Sequence, residues 1–426
     1  MLRYDHGMKN NIPLFNSHSP LVGIVADDFT SAADAAGPFV ARGYRSLVSR
    51  RANLCINQGV SCDEAEPADV DVFSLDSGSR LLSAQDAASA TEQSMGKLLF
   101  CRLLFKTIDS TLRGNIQAEL KATMQIALSS GKYDRVVIAP AFPEAGRITR
   151  GGVQFVDGLP VSKSSYGRDP VHPVSISTVS DLLDPYFGDP LVIPHAADVS
   201  EVMLAQSNTK IFILDAESQQ GLTRQVTSIA TPERVLWVGS PGLASALADL
   251  LPLKAKPETI NKTLKCKRVL ILVGSANKVS RDQCAHLANS GAPVMERATG
   301  ISDEDFNTAR IICLSAPAKR NSHPNKVRDD LVQEAKIAMR SGNFDAVIAT
   351  GGETMVAFLE ALGIDAISLK GELEPGFPYG QSLSGARSPP LTLAMKAGGF
   401  GSPAMLLDAA RQFLSTSDRD NRCQIY

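Results

Sequence analysis

The chain has 426 residues, a length that exceeds one ordinary hydrophobic core and therefore predicts two domains. Its composition, 44% hydrophobic and 21% charged residues, is that of a globular protein. The formal net charge of −2 argues against a nucleic-acid partner, although it leaves room for a local cationic pocket that binds a small anion.

Residues 1–20 are polar and lack the apolar core of a secretory signal, so we expect a flexible N-terminal tail. The apolar run over 21–26 is typical of a buried parallel strand, and it ends in Asp27 and Asp28. Either Thr30 or Ser31 is expected to cap the helix that follows.

Strand and helix signals then alternate, which is typical of a parallel sheet with helices on both faces. Strands are predicted at ADVDVFSLD, LLFKT and DRVVIA, and helices at SAQDAASATEQSMGKLL and NIQAELKATMQIAL. The segment 146–174 is rich in Gly and Pro and interrupts this alternation, with a hairpin predicted over 153–161 around an Asp-Gly turn. Loops of this length are usually functional or disordered. The alternation resumes up to about residue 250.

The polar stretch PLKAKPETINKTLKCK has no apolar period and is interpreted as a linker. The sequence therefore predicts a first domain over 21–250, a linker over 251–265 and a second domain over 266–426. Each domain is expected to be α/β, with a largely parallel sheet flanked by helices, and the active site is expected in the cleft between the two domains.

The cysteines are scattered without a CxxC pair, at Cys55, Cys62, Cys101, Cys266, Cys284, Cys313 and Cys423. An odd, unpatterned set predicts reduced thiols in a cytoplasmic protein and argues against a structural zinc site. No apolar run is long enough to span a membrane, so no membrane partner is expected.

Polar residues follow four predicted strands of the first domain, at the ends where open α/β sheets bind ligands. They are Asp27 with Asp28, the segment 76–80, the segment 106–113, and Glu144 with Arg147. Arg80 is suited to a bidentate grip on a carboxylate, and Lys106 supplies a point charge. Asp27, Asp28 and Asp109 can accept hydrogen bonds from hydroxyl groups, and one of them can take a proton.

Each of these groups also has a structural interpretation. Adjacent carboxylates complement a helix dipole, Arg80 can pair with a neighbour, and the segment 106–113 can form a solvated turn. The density of dissimilar polar groups in 106–113 favours a functional role. Glu144 and Arg147 are expected to pair with each other, and His172 is interpreted as a structural residue of its loop.

The second domain contains three glycine turns, in VGSANKVS, ATGGETM and KAGGFGS. Glycine lets backbone N–H groups approach a phosphate, and a helix N-terminus adds partial positive charge. Neither a P-loop motif nor a dinucleotide fingerprint is present. The two domains together predict a kinase that brings an alcohol to the γ-phosphate of ATP, with Mg²⁺ bridging the phosphates. A non-catalytic sensor and a hydroxy-acid dehydrogenase are the alternatives.

The motifs resemble those of the four-carbon acid sugar kinases, most closely the D-threonate and D-erythronate kinases of that family. The resemblance is carried by ADDFTSAAD, KTIDSTLRGN, PAFPEAGR, FVDGLPV, RDPVHPV, GGET and KAGGFG, and it extends over 21–414. It implies an ATP-dependent enzyme that phosphorylates the terminal hydroxyl of a four-carbon sugar acid. KTIDSTLRGN favours a plain aldonate over a 3-oxo-tetronate, whereas no motif separates threonate from erythronate. D-threonate is the preferred substrate, and a homodimer is expected.

By position, the resemblance places the sugar acid at Asp27, Asp28, Arg80, Lys106, Asp109, Ser110 and Thr111, with Asp28 and Asp109 as catalytic candidates. It places ATP at Ser275, Gly351, Gly352, Glu353, Thr354, Gly398 and Gly401. Two residues depart from the family pattern: Ser31 stands where glycine is usual, and Gly399 stands where asparagine is common. Ligands for Mg²⁺ are not assigned.

Overall fold

The structure is a computed structural model that describes residues 20–50, 70–169, 172–205, 208–254, 266–297, 303–317, 323–383 and 390–414. We call residues 20–254 the front half and residues 266–414 the rear half. The tail predicted over 1–20 lies outside the described residues except for residue 20, and the linker predicted over 251–265 lies outside them except for 251–254. Cys55, Cys62 and Cys423 also lie outside them.

Most front-half strands belong to one parallel array with the order β2-β3-β1-β4-β11-β5-β10-β9. Every residue of β1 and β4 is buried, as expected for strands that are covered on both faces. The strands are β1 (Val22–Ala26), β2 (Ser46–Ser49), β3 (Val72–Asp76), β4 (Leu103–Thr107), β5 (Arg135–Ala139), β6 (Arg147–Arg150), β7 (Val153–Val156), β8 (Leu159–Pro160), β9 (Leu191–Ile193), β10 (Ile211–Leu214) and β11 (Val235–Gly239).

Helices cover both faces of this array, which confirms the predicted α/β class. They are α1 (Phe29–Ala41), α2 (Ala84–Leu98), α3 (Ile116–Ser129), α4 (Val199–Ala205), α5 (Gln219–Thr227) and α6 (Pro241–Asp249). The predicted cap of α1 is wrong, because Asp28 is the N-cap residue and its Oδ1 accepts a hydrogen bond from Ser31 N at 2.7 Å. Asp28 is the better cap because it directly precedes the helix, where its carboxylate can accept a hydrogen bond from a first-turn N–H group.

The predicted hairpin is present and belongs to a small antiparallel sheet with the order β6-β7-β8. Asp157 and Gly158 join β7 to β8 with φ angles of 49° and 80°, as a two-residue hairpin turn requires. Single 3₁₀ turns flank this sheet and connect later strands, at Pro143–Ala145, Val161–Lys163, Ser165–Arg168, Val179–Leu182, Pro185–Phe187 and Pro232–Arg234.

The rear half has a second parallel array with the order β13-β14-β12-β15-β18, followed by the antiparallel strands β17 and β16. Its strands are β12 (Val269–Val273), β13 (Val294–Met295), β14 (Ile311–Ser315), β15 (Ala346–Thr350), β16 (Ala366–Glu372), β17 (Pro378–Ser382) and β18 (Thr392–Lys396). Its helices are α7 (Lys278–Asn289), α8 (Asp303–Thr308), α9 (Pro324–Ser341), α10 (Gly352–Ala361) and α11 (Met405–Phe413).

The two arrays are joined into one sheet of 15 strands because β16 pairs antiparallel with β2. Beyond this pairing, Arg50 N donates to Asp365 O at 2.9 Å. Glu372 at the end of β16 packs on α1, where a Cβ added to Gly37 would lie 2.6 Å from Glu372 Cδ. One hydrophobic core runs through both halves, from Phe29 to Phe358. Sequence alternation does not predict this junction.

Because β16 pairs with β2 and one core runs through both halves, we expect the two halves to unfold together. Ile367 of β16 is fully buried and stands opposite Val48 of β2, so Ile367→Ala should lower the unfolding free energy by about 2–5 kcal/mol. Calorimetry should show one transition, shifted to lower temperature in the variant. Ile337→Ala, on an exposed part of α9, is the control and should change little. Two resolved transitions, with one unaffected by Ile367→Ala, would contradict a shared core.

Candidate active site

Three polar segments meet at the carboxyl ends of three neighbouring strands. β1 lies between β3 and β4, with Ala26 in register with Asp76 and Val25 in register with Lys106. The residue after β1, Asp27, reaches the turn after β4, where a Cβ added to Gly114 would lie 3.2 Å from Asp27 Oδ2. Gly114 has a φ of +94°, so this close approach needs glycine.

Arg80 lies at the centre of the charged groups. Its Nε and Nη2 donate to the two carboxylate oxygens of Asp27 at 2.7 and 2.8 Å, and its Nη1 contacts Asp28 Oδ2. Nη2 also donates to Ser31 Oγ at 3.1 Å. Four of the five guanidinium hydrogens therefore have protein acceptors. The contact between Arg80 and a substrate carboxylate stays a prediction. A substrate carboxylate would have to share the guanidinium group with these protein partners.

The electrostatic balance at Arg80 is set by its neighbours. Burial lowers the pKa of Arg80, but the carboxylates of Asp27, Asp28 and Asp109 raise that pKa well above its ordinary value. The attraction therefore outweighs the desolvation, and the guanidinium remains charged. Removing it would leave several carboxylates crowded together without compensation.

Lys106 lies beneath this cluster and is fully buried. Its Nζ forms an ion pair with Glu119 Oε2 at 2.8 Å and donates to the carbonyl of Thr107 at 2.8 Å. The other carboxylate oxygen of Glu119 accepts from Ser79 Oγ at 2.7 Å. This network ties the end of β4 to the turn after β3, so Lys106 has a structural partner. Its role as a substrate ligand stays a prediction.

Asp109 is held in one position by the turn after β4. Arg113 Nε donates to its Oδ2 at 2.5 Å and Thr111 Oγ1 donates to the same oxygen at 2.7 Å. Burial raises the pKa of Asp109, but Arg113 and Arg80 together hold it below its ordinary value. Leu112 has a left-handed φ of 58°, unusual for a bulky residue, so the turn itself is strained.

The predicted residues Ser110 and Thr111 are both buried in this turn. The Ser110 carbonyl accepts from Gln154 Nε2 at 2.8 Å, which ties the turn to β7 of the hairpin. Their assignment as substrate ligands stays a prediction. Arg113, which the sequence placed in the cluster, also lies over the ring of Tyr166 at 5.1 Å.

The fourth polar segment does not form the predicted pair. Arg147 Nη2 donates to Tyr166 Oη at 3.3 Å, and no ion pair between Glu144 and Arg147 occurs in the described part of the chain. Glu144 instead acts on Glu372, where it adds to the effect of burial in raising the pKa of that carboxyl to about 7. The predicted pair is therefore wrong. His172 N donates to Asp169 Oδ1 at 2.9 Å, in keeping with a loop residue.

The three glycine turns of the rear half follow β12, β15 and β18, which are adjacent and parallel. They touch one another so closely that side chains are excluded. A Cβ added to Gly274 would lie 1.8 Å from Thr354 Oγ1, and a Cβ added to Gly398 would lie 2.1 Å from Ser275 Oγ. The Gly398 carbonyl accepts from Ser280 Oγ of α7 at 2.7 Å. These contacts bring together three of the predicted nucleotide residues, Ser275, Thr354 and Gly398.

The N-terminus of α10 is open to a ligand. Its N-cap residue Gly351 has a φ of 92° and has no side chain to accept from the first-turn N–H groups. By contrast, Asp28 caps α1 and Asn277 caps α7 with side-chain oxygens. Free N–H groups at a helix N-terminus are suited to phosphate, so the residues present fit a nucleotide. ATP binding at these positions stays a prediction.

Two other predicted nucleotide residues are less central. The Glu353 side chain is 52% exposed and lies 3.8 Å from Arg328 of α9, so it faces α9 rather than the turns. Gly401 has a φ of 93°, and a Cβ there would lie 2.0 Å from Met405 Sδ. Gln283 Nε2 of α7 holds this loop through the carbonyls of Phe400 and Ser402, at 3.1 and 2.9 Å.

The front and rear clusters meet at Gly352. A Cβ added to Gly352 would lie 2.8 Å from Thr30 Oγ1 and 3.4 Å from Asp28 Oδ2. The first residue of α10 therefore touches the first turn of α1. A phosphate at the α10 N-terminus and a hydroxyl group near Asp28 would be neighbours, which is the geometry that phosphoryl transfer needs.

The raised pKa values of two carboxyl groups in this region were not predicted from the sequence, although Asp76 belongs to the predicted polar segment 76–80. Asp76 is the clearest case: burial and Asp28 raise its pKa to about 8. Burial, together with Glu372 and Asp28, raises the pKa of Asp34 well above its ordinary value. Asp76 lies at the end of β3 and Asp34 lies on α1. The burial that raises their pKa values follows from sheet register and helix packing, which the sequence does not show.

The chain matches two family models along most of its length. Residues 22–247 match the model described as a sugar-binding N-terminal domain, and residues 298–406 match the model described as a nucleotide-binding C-terminal domain. The chain is 30% identical to the D-threonate kinase of Bordetella bronchiseptica, over 92% of this chain and 97% of the relative. It is 31% identical to the D-threonate kinase of Cupriavidus necator, over 91% and 96%.

A 3-oxo-tetronate kinase of Brucella melitensis is 26% identical over 92% of this chain and 96% of the relative. A crystal structure from Salmonella typhimurium LT2 has the same fold, with a TM-score of 0.71 and 23% identity over 92% of this chain and 99% of the other. The chain therefore belongs to the four-carbon acid sugar kinase family, and it is an ATP-dependent phosphotransferase.

Neither a membrane-spanning helix nor a cluster of metal-ligating side chains occurs among the described residues. None of the helices there has both the length and the apolar character needed to cross a membrane. No group of three or more His, Cys, Asp or Glu side chains there is arranged to hold a metal ion.

The raised pKa of Asp76 gives a pH-dependent stability. Because the folded-state pKa of about 8 exceeds the unfolded value of about 3.9, stability is lost as the pH rises through about 8. Asp76→Asn keeps an oxygen for the Gly78 N–H and cannot ionise. Its melting temperature should exceed that of the parent by a margin that grows from about pH 5 to pH 9. The exposed Asp408→Asn is the control, and a constant margin would refute the shift.

Proposed function

We propose that the protein transfers the γ-phosphoryl group of ATP to the terminal, 4-hydroxyl group of D-threonate, in sugar-acid catabolism. The observation that carries this proposal is the contact of Gly352 with Asp28 and Thr30, which puts the open N-terminus of α10 beside the front-half carboxylates. The relatives at 30% and 31% identity that are named D-threonate kinases support the choice of acid.

In this proposal Asp28 orients the terminal hydroxyl group and accepts its proton. Asp28 is preferred to Asp109 because Asp28 lies against Gly352, at the border of the two halves. Asp109 receives hydrogen bonds from Arg113 and Thr111 and has a lowered pKa, so it is a weak base. Asp109 then serves as a hydrogen-bond acceptor for the other hydroxyl groups of the acid.

The sugar-acid carboxylate is assigned to Arg80, assisted by the charge of Lys106. Arg80 has one guanidinium hydrogen without a protein acceptor, and its side chain is 21% exposed. Lys106 is buried behind Glu119 and acts through the network that holds the turn after β3. Ser110 and Thr111 complete the proposed site.

The nucleotide is assigned to Ser275, to the turn 351–354 and to Gly398 with Gly401. ATP supplies the phosphoryl group when bound. The chain contributes backbone N–H groups of α10 and the close glycine turns that leave room for phosphates. Mg²⁺ is proposed as well, held mainly by phosphate oxygens and water, in keeping with how this ion usually binds in kinases.

The proposal also includes alternative substrates, an oligomeric state and a cellular location. D-erythronate is the runner-up substrate, and a 3-oxo-tetronate is a further one, since a relative of that name matches at 26% identity. A homodimer and a cytoplasmic location are also proposed. The location is supported by the buried free thiols of Cys101, Cys266, Cys284 and Cys313.

A substrate panel tests the proposal. The protein should release ADP from ATP with D-threonate, with a kcat/KM at least about tenfold above that for D-erythronate, L-threonate or a 3-oxo-tetronate. Phosphorus NMR should place the phosphate on the primary hydroxyl group. Failure to turn over any four-carbon acid, with sugar acid and ATP both bound, would support a sensor. Binding of NAD in place of ATP would support a dehydrogenase.

The role of Arg80 is tested by Arg80→Ala and Arg80→Lys. The alanine variant should raise the KM for the sugar acid at least about tenfold and change the KM for ATP by less than about twofold. The lysine variant keeps the charge but loses the bidentate hydrogen bonds to Asp27. Its KM for the sugar acid should therefore lie between that of the parent and that of the alanine variant. An unchanged KM in both variants would show that the carboxylate binds elsewhere.

A further inference from the structure

Lys396, at the end of β18, is a buried cation without a carboxylate partner. Its side chain is fully buried, and its Nζ donates to the carbonyl of Ala397 at 2.9 Å. Within the described ranges, no Asp or Glu lies within ion-pair distance of this Nζ. Buried charges are normally paired, because an isolated ammonium group loses its hydration without compensation. Two of the three ammonium hydrogens have no acceptor in the described part of the chain.

Lys106 of the front half is an internal comparison. It is the next-to-last residue of β4, a central strand; it is also fully buried, and its Nζ also donates to the carbonyl of the next residue, at 2.8 Å. In the front half, however, Glu119 supplies the counter-charge at 2.8 Å. The same local arrangement therefore occurs twice in the chain, and only the rear-half copy lacks its anion. The missing anion is what a ligand can provide.

The surroundings of Lys396 are those of the predicted phosphate site. The Lys396 carbonyl accepts from Gly351 N at 3.0 Å, which joins it to the turn before α10. Two residues later, Gly398 packs against Ser275. Thr350 is the register partner of Lys396 on β15, and its Oγ1 is buried without a hydrogen-bond partner. A cation and an unpartnered hydroxyl group thus belong to register partners on adjacent strands, at the strand ends that carry the glycine turns.

Other groups near Lys396 do not neutralise it. The thiol of Cys284 on α7 is the side chain that acts on it electrostatically, and Cys313 on β14 and Arg281 on α7 act on that thiol. Burial lowers the pKa of Lys396 to about 8, and Cys284 opposes this shift only in part. The ammonium group is therefore mostly charged at neutral pH, at a site that stabilises the charge poorly.

We propose that Lys396, assisted by the Thr350 hydroxyl group, binds a phosphate group of the nucleotide and receives from it the counter-charge that the protein does not supply. This inference rests on the proposed ATP-dependent function and deepens it. Lys396 and Thr350 stand within KAGGFG and ATGGETM, but neither is among the residues that the family resemblance assigns to ATP. The ligand class is a polyphosphate, recognised by one ammonium group, one hydroxyl group and the N–H groups at the start of α10.

Lys396→Met tests the proposal, because methionine fills a similar volume without the charge. Calorimetric titration at pH 7 should show affinity for ATP reduced about ten- to hundredfold, since a charge-assisted hydrogen bond is lost. Affinity for adenosine and for the sugar acid should change by less than about twofold. Lys267→Met is the matched control, because Lys267 is an exposed lysine at the opposite, amino end of β12 and should leave ATP affinity unchanged.

Unfolding experiments separate a ligand role from a structural one. Without ligand, Lys396→Met should be at least as stable as the parent, because it removes an unpaired buried charge. Tripolyphosphate should raise the melting temperature of the parent and have a much smaller effect on the variant. If Lys396 is instead structural, the variant will melt earlier than the parent, and tripolyphosphate will protect both equally.

The pH dependence gives an independent readout. Affinity of the parent for ATP should fall as the pH rises through about 8, where Lys396 loses its proton, and the slope should vanish in Lys396→Met. Cys284→Ala is a second control, since it should move the midpoint without removing the slope.

A folded Lys396→Met protein that binds ATP within about twofold of the parent would overturn the inference. A parent that binds ATP but turns over no acid would overturn the proposed function and leave the Lys396 inference standing.

Discussion

The antiparallel pairing of β16 with β2 fixes the two halves of the chain relative to each other. Main-chain hydrogen bonds cross this junction and one hydrophobic core runs beneath it, so the halves are not two bodies joined only by a linker. Glu372 packs against Gly37 beside the junction, and Gly352 reaches the first turn of α1. A site that is shared between the two halves depends on this attachment, because its groups come from both.

The pKa values of the acidic residues in the site depend on how several carboxylates share a small number of cations. Arg80 and Arg113 hold Asp27, Asp28 and Asp109, with attraction that outweighs the penalty of burial. Asp76 and Glu372 form no ion pair with these two arginines, and burial raises their pKa values instead. The site thus favours the ionised form of Asp109, which pairs with a guanidinium group, and the protonated form of Asp76, which is buried without such a pair.

Both halves contain a buried lysine near a strand end, but among the described residues only the front half supplies a carboxylate to neutralise it. Each has a buried lysine at or next to the carboxyl end of a central strand, and this lysine donates to the carbonyl of the following residue. The front half neutralises its lysine with Glu119, which stiffens the turns around the proposed acid site. The rear half leaves its lysine unpaired beside an uncapped helix and three glycine turns, which suits a site whose anion arrives with the substrate.

Local patterns were sufficient to predict the alternating strands and helices, the hairpin around Asp157 and Gly158, and the position of polar residues at strand ends. They failed for the cap of α1, where Asp28 replaced the expected hydroxyl residue, and for the pairing of Glu144 with Arg147. They also gave no sign of β16 joining β2. In each case the outcome depends on which partner is nearer in space.

The sequence by itself determined the fold class, the two-part organisation, the family and the polar segments that carry the chemistry, because these are written in short-range periodicity and contiguous motifs. Only the tertiary structure decided that Arg80 binds Asp27 and Asp28, that Lys106 has Glu119 while Lys396 has no carboxylate, and that Gly352 touches Asp28. The physical reason is that pairing, burial and pKa depend on distances between residues far apart in the chain, and sheet register and helix packing set those distances.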